Sequence, residues 1–533
     1  MLQSAMQMFV ARFASRPAAC WHRHYRLRDQ TCRSLHYSRK SAASGRDDNS
    51  EVIHPFITTS MQAPHITAVS FYTGTFSNQK DRTGLIKTLT RFTLYGLLFA
   101  GITGSISAQS TQKPIVIVIT IDGFPARALQ DPQLPMPTLR ALAASGAVAT
   151  GMKPINPTVT WPNHTAMITG VNASQHFVMA NGLIVLPADG TAPQIEPWTD
   201  KDKLVHARTL YDAAAEKGLT TGQVDWVAIY GARGVRWKFG EKPDIQDEIP
   251  QELVAQGLVT RHQIEHFGDK SSPAWRDEVW TDAAIDILEK HTPDLLLFHL
   301  LQTDSIQHAY GPLTPAAYAA YAYADQCLAR VVEAIHKAGL QDRTTYFILS
   351  DHGFATYTHT INPNVALIEQ GLLHKQGTTY TGSVWVKAEG GAASLYIRDA
   401  SRRAELIPKL KAYFAGVPGI EHVFTNEEAR ALGIPSDADT DQAPQLYLAA
   451  APDYTFGDDV SGTLTRTNPP RGQHGYLNTM SDMQALFVAS GAAIKPGVDL
   501  GSITNLQVAP TIAKILDLQL PDAKQPPLNQ ILR

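Results

Sequence analysis

The sequence predicts an α/β fold of the alkaline-phosphatase-like kind: a mostly parallel sheet flanked by helices, with an inserted cap subdomain. Three observations lead there. From Lys113 onward, apolar runs rich in β-branched residues alternate with helical spacings, the pattern of βαβ units. The runs are apolar throughout, as expected of strands covered on both faces. Between about 378 and 467 this rhythm gives way to short strands, one helix and a Gly-, Asp- and Pro-rich composition, which marks an insertion. A chain of 533 residues, 44% hydrophobic and 18% charged, has ample material for such a core, and wholesale disorder is excluded.

The elements follow in order. Pro114–Asp122 (PIVIVITID) is a buried parallel strand. Met136–Gly146 and Thr209–Gly218 carry helical spacing and end on glycine. Thr281–Lys290 is helical and leads into the apolar strand Asp294–Leu301. Pro315–Ala338 is a long Ala/Tyr-rich helix, Thr344–Ser350 and Gln484–Ser490 are strands, and Leu506–Leu518 is a closing helix. Within the insertion, strands Ala393–Ile397 and Gln445–Ala449 flank a helix near Arg403–Phe414. No internal repeat is evident.

The N-terminal stretch reads differently. Residues 1–84 show no sustained period of 2 or 3.6, and they hold 11 Lys+Arg against 5 Asp+Glu, leaving 35 against 44 for the rest. Cys20 and Cys32 also lie there, so the main body retains only Cys327 and can form no internal disulfide. Residues 85–108 have basic Lys87 and Arg91, an apolar run Phe92–Ile106 and small residues after it, the form of a secretory signal peptide. The run is shorter than the ~20 residues a membrane span needs. The expectation is a disordered or misassigned upstream segment over 1–84, a true start near Leu85, a signal peptide over 85–108 and a catalytic domain over 109–533. The mature protein would then be periplasmic or secreted, with no stable membrane span. The formal net charge of -3 argues against a nucleic-acid duplex as partner.

Five short segments place Asp, His or a hydroxyl just after apolar runs or in Gly-rich loops, where open α/β sheets bind ligands. They are ITIDGF with Asp122, TVTWPNHTAMITG with Thr160, LLQTDSIQHAYGP with Asp304 and His308, LSDHGF with Asp351 and His352, and RGQHGY with His474. Each alone is weak: an Asp after a strand is often a helix cap, and a lone His is more often structural. Together they offer three carboxylates, three imidazoles and one hydroxyl, enough for two metal ions with open positions for substrate.

The ordered set resembles the alkaline phosphatase superfamily and, within it, the nucleotide pyrophosphatase/phosphodiesterase (type I phosphodiesterase) family, over about Lys113 to Pro521. The resemblance implies two zinc ions per chain, one held by Asp304, His308 and His474 and the other by Asp122, Asp351 and His352. It implies Thr160 as nucleophile and ligand beside the second, and a covalent phosphothreonine. Asn181, in HFVMANG, matches the family's contact to a phosphoryl oxygen, together with a backbone N–H near Thr160. Trp161 occupies the position that can stack on a nucleobase. Phe177 and Gln307 stand where the family often has glycine, and both are expected near the pocket. The implied activity is hydrolysis of phosphodiester or pyrophosphate bonds in a small-molecule substrate such as a nucleotide. Alternatives on the same scaffold are a phosphate monoesterase, for which Arg233, Arg236 and Lys238 are candidate phosphate clasps, and a phosphonate hydrolase. A non-catalytic metal- or carbohydrate-binding surface protein is the alternative from another class, but it has no need of Thr160. No C-x-P-x-R segment of the sulfatase type is present.

Overall fold

The computed structural model describes residues 113–533, so the expectations for 1–84 and 85–108 lie outside the described residues. Its central sheet has eight strands in the spatial order Val498–Asp499, Ala147–Val148, Phe487–Gly491, Thr344–Leu349, Ile115–Ile121, Leu295–Leu300, Thr221–Val224, Trp237–Phe239. All run parallel except Phe487–Gly491, which is antiparallel to both its neighbours. Ile115–Ile121 is fully buried. Its alternate residues face opposite sides: Ile115, Ile117, Ile119 and Ile121 join one apolar cluster, Val116 and Val118 the other. Each such side chain contributes about 1.5–3 kcal/mol on burial. The first cluster takes in helices Pro273–Asp286 and Pro315–Lys337. The second takes in Leu210–Glu216 and Val508–Leu516.

Chain punctuation explains the helix boundaries. Thr314 accepts from Ala317 N–H and Pro315 is the first helical residue, so Pro315–Lys337 starts on a side-chain cap. Thr209 and Asp212 form a reciprocal capping box at the start of Leu210–Glu216. Two differences from the sequence reading have local causes. The helix expected at Thr281 begins at Pro273, because Ser272 caps it and Pro273 sits at its first position. It ends in a π-helical turn, Ile287–His291, where a plain helix was expected. Thr221–Val224 and Trp237–Phe239 went unread, because TGQV and WKF are too short and too little β-branched to stand out.

A second layer of β-structure adjoins the C-terminal ends of the main strands. Val384–Glu389, Ala392–Ile397, Leu446–Ala450 and Ile420–Thr425 form an antiparallel sheet with helix Arg403–Ala415 against it. Ala355–Ile361, directly after the LSDHGF loop, pairs with Thr465–Gln473 and Asp453–Phe456. Strands of this layer thus lead out of and into two of the chemistry-bearing segments.

Candidate active site

Five main-chain junctions deliver the chemistry. Asp122 follows the central strand, and Asp351 and His352 follow its neighbour Thr344–Leu349. On the other side, Leu295–Leu300 leads into helix Gln302–Tyr310, whose first turn carries Asp304 and, four residues on, His308 on the same face. The buried carboxylate of Asp277 holds this junction by accepting from Leu301 N–H (2.9 Å) and Gln302 N–H (3.1 Å). Thr160 opens the buried helix Thr160–Thr169, where unpaired N–H groups and the helix dipole favour negative charge. His474 ends the long strand Thr465–Gln473.

All six expected Asp and His ligands and the Thr160 hydroxyl converge. Thr160 Oγ1 lies 3.5 Å from His352 Nε2. That nitrogen is 3.1 Å from Asp351 Oδ2 and 3.5 Å from Asp122 Oδ1. Asp304 Oδ1 lies 3.3 Å from His308 Nε2 and 3.8 Å from His474 Nε2. The rings of His352 and His474 stack at 3.8 Å. Two sets bring donor atoms within 4.8 Å of one another: Asp304, His308 and His474, and Asp122, Asp304 and His352. Asp304 therefore stands between both, and Asp351 joins the second through its contact with His352.

Two observations fit this chamber to metal ions. First, each imidazole presents Nδ1 to a carbonyl: His308 to Gly472 (3.3 Å), His352 to Gly353 (3.1 Å) and His474 to Thr158 (3.0 Å). The Nδ1–H tautomer this requires leaves every Nε2 lone pair facing the center. Second, Asp122 Oδ1, Asp304 Oδ1 and Asp351 Oδ2 are buried without hydrogen-bond partners, which is costly unless a cation meets them. The donor set of imidazole and carboxylate suits zinc better than magnesium.

Electrostatics follow from burial. Burial and the neighbouring Asp351 and Asp304 carboxylates push the Asp122 carboxyl well above its ordinary range. Burial lowers His352 to about 4 and His474 to about 3, keeping both neutral and able to ligate. Burial works against the Asp304 carboxylate, but His308, His474 and His352 around it hold its pKa below the ordinary value.

Beyond the chamber, a cavity of about 760 Å³ is lined by Trp161, Trp226, Trp198 and Tyr230. Trp198 and Tyr230, 43% and 51% exposed, sit edge-to-face with centroids 6.3 Å apart. Sequence reasoning missed both. Their only signal was a single aromatic residue in each of the segments EPWTD and VAIYGA, neither of which carries a motif. Asn181 Oδ1 accepts from Trp161 N–H at 3.0 Å, so that backbone donor, expected to face a phosphoryl oxygen, is committed to Asn181; the Asn181 amide N–H₂ remains as donor.

Two expectations are corrected here and one is refined. Gln307 stands beside the metal chamber, not in the aromatic cavity: it is buried, donates to Gly123 O (2.9 Å), next to Asp122, and accepts from Tyr321 O–H (2.7 Å). Phe177 ends a short helix with φ +62° and packs on His206 at 5.0 Å, again away from the cavity lining. The basic cluster is not a free clasp. Arg236 lies over the Trp237 ring, Lys238 pairs with Asp247 at 3.2 Å, and the cavity that Arg233 and Lys238 line also carries Asp200, Glu241, Asp244 and Glu265.

No helix among the described residues is long and apolar enough to cross a membrane.

The sequence profile of the family described as type I phosphodiesterase / nucleotide pyrophosphatase matches residues 116–477. Human ectonucleotide pyrophosphatase/phosphodiesterase family member 7 is 24% identical over 456 residues, covering 82% of this chain and 86% of that protein. The venom phosphodiesterase of Naja atra is 21% identical over 422 residues, covering 76% and 45%. Among solved structures, an inactive variant of murine ectonucleotide pyrophosphatase/phosphodiesterase 5 in complex with AMP superposes with a TM-score of 0.59 at 16% identity, covering 79% of this chain and all of that one. That likeness extends to the fold.

Proposed function

The chain belongs to the type I phosphodiesterase/nucleotide pyrophosphatase family and is a hydrolase of phosphodiester bonds; from that premise we propose a two-zinc enzyme that acts through a covalent phosphothreonine on Thr160. The observation that carries this reading is the convergence of Thr160 with three neutral-capable imidazoles and three partnerless carboxylate oxygens in one buried chamber. Asp304, His308 and His474 would hold one ion, and Asp122, Asp351 and His352 the other beside Thr160. Zinc, when bound, lowers the pKa of an oxygen ligand by several units and stabilises charge on phosphoryl oxygens.

The chain's own groups supply the rest. Thr160 Oγ1, at the positive end of its helix, forms the bond to phosphorus as the bond to the leaving oxygen breaks on the opposite face. Thr160 gives up its proton to solvent, and the leaving group departs as a phosphate or as an alkoxide that solvent protonates to the alcohol. Water then attacks the phosphothreonine, the P–Oγ1 bond breaks, and the hydroxyl is restored. Asn181 N–H₂ donates to a phosphoryl oxygen, a role typically worth about 3–4 kcal/mol in the transition state. Trp161, Trp198 and Tyr230 offer ring faces for the organic part of the substrate, and a nucleoside is the favoured occupant; AMP in the murine relative supports this.

Thr160→Ala is the direct test. Turnover of bis-p-nitrophenyl phosphate is expected to fall by at least about 10³-fold while zinc content stays near that of the wild type. Wild-type protein that holds two zinc ions and cleaves no phosphoester would sink the proposal. Paired kinetics on p-nitrophenyl phosphate are expected to favour the diester, because the cavity's cations are already paired or outnumbered by carboxylates; a clear monoester preference would overturn that choice. The signal-peptide reading of 85–108 supports a periplasmic or secreted location, and a mature N-terminus before residue 80 would refute it.

A further inference from the structure

We propose that His299, backed by Asp225, is a positioning residue that fixes Asp122 as a one-oxygen metal ligand. The inference rests on the metal-dependent reading above and adds residues that the ligand motifs do not contain.

Sheet register builds the arrangement. Thr120 pairs with His299, and Val224 pairs with Phe298, so three adjacent parallel strands bring Asp122, His299 and Asp225 into a row at their C-terminal ends. His299 Nε2 lies 3.0 Å from Asp122 Oδ2 and Nδ1 lies 2.9 Å from Asp225 Oδ2. All three residues are at most 2% exposed. Among the described residues, no other side chain hydrogen-bonds the Asp122 carboxylate. Its Oδ2 is thus committed to His299, and its Oδ1, without a partner, faces His352. A carboxylate held this way presents Oδ1 at a fixed angle, and the hydrogen bond on Oδ2 competes with its use as a second ligand atom.

With Asp122 ionised, as a metal ligand must be, the direction of its bond to His299 does not depend on the protonation of Asp225. If Asp225 carries a proton, it donates to Nδ1, and Nε2–H donates to Asp122. If Asp225 is ionised, Nδ1–H of an imidazolium donates to it, and Nε2–H still donates to Asp122. Asp225 itself sits at φ +53°, as does Ala228 three residues on, and both flank Trp226 in the cavity wall. Non-glycine residues adopt this region at a cost, which Asp bears more readily than most. The His164 ring packs edge-on to His299 at 4.7 Å and to Trp226 at 4.9 Å, leaving the imidazole no room to turn away.

The test compares wild type, His299→Leu, His299→Gln and Asp225→Asn, each stripped of metal, checked for folding by circular dichroism, and titrated with zinc against a competing chelator. His299→Leu is expected to weaken one of the two zinc sites by about 10–100-fold, the range for outer-shell partners, and to leave the Asp304–His308–His474 site intact. Its kcat for bis-p-nitrophenyl phosphate should fall with KM little changed, because the cavity is untouched. His299→Gln, which keeps a donor, should recover most of the affinity, and Asp225→Asn should show a smaller loss at the same site. Wild-type zinc affinity in folded His299→Leu, or in Asp225→Asn where His299→Leu does not fold, overturns the proposal, as does an equal loss in the Gln and Leu variants. If the wild type itself takes up no zinc, the parent reading falls and this one with it.

Discussion

His176 shows how far a single buried imidazole can depart from its solution behaviour. It is fully buried, its Nδ1 accepts from Val178 N–H at 3.1 Å, and burial lowers its pKa to about 3. In the unfolded chain the same ring titrates near 6.5. Folding therefore excludes a proton between those values. Its cost to stability is nil above about pH 6.5 and grows as pH falls toward 3. Relative to His176→Asn, wild type is expected to lose about 1.4 kcal/mol per pH unit across that window, measured by denaturant unfolding of both proteins from pH 7 to 4; parallel curves would refute it. The chamber's imidazoles were legible in the sequence because each lies in a short motif next to an apolar run or in a Gly-rich loop. His299 and Asp225 were not. Nothing local distinguishes a His inside LLLFHL from a core residue, and its meaning depends on which strands become neighbours, a long-range fact.

At the scale of the element, the helix Gln302–Tyr310 depends on a residue from elsewhere. Its N-cap, Leu301, has no side chain able to cap, and Asp277 of the preceding helix takes that part. Asp277→Ala would leave two backbone donors without partners, at about 2 kcal/mol. A fall of about 2 °C in Tm is expected, with weaker zinc binding at the Asp304–His308 site; an unchanged Tm would show that water replaces the carboxylate at no cost. Strong elements were readable: IVIVITI and LLLFHL became central strands and Pro315–Lys337 a helix, because burial on both faces or a side-chain cap with proline leaves a local imprint. The strand Thr221–Val224 left none. Its place beside Leu295–Leu300 comes from the crossover, not from its composition. The Asp277 cap was likewise invisible, since it spans 24 residues.

Across the whole molecule, the chamber concentrates carboxylate oxygens that no protein group satisfies, so folding stability and metal occupancy are linked. Chelation is expected to abolish turnover and lower Tm. A ligand at 100 times its Kd stabilises by about 2.7 kcal/mol per site. Zinc should restore both and magnesium should not; a Tm indifferent to chelator and zinc would refute the linkage. The sequence also marked out the segment around 378–467 by its change in composition, but not how that segment meets the catalytic sheet. That meeting is close. Gly391 N–H donates to the His474 carbonyl at 2.8 Å, and a Cβ on Gly475, at φ +84°, would lie 1.9 Å from the Glu389 carbonyl oxygen. Main chain thus meets main chain at a proposed metal ligand. For an engineer the seam sets a rule for chimeras. The outer sheet cannot be exchanged as a detachable part by cutting at its composition boundaries. A graft has to carry Glu389–Gly391 together with His474–Gly475, or the donor's replacement side chains will push the histidine out of register with Asp304 and His308.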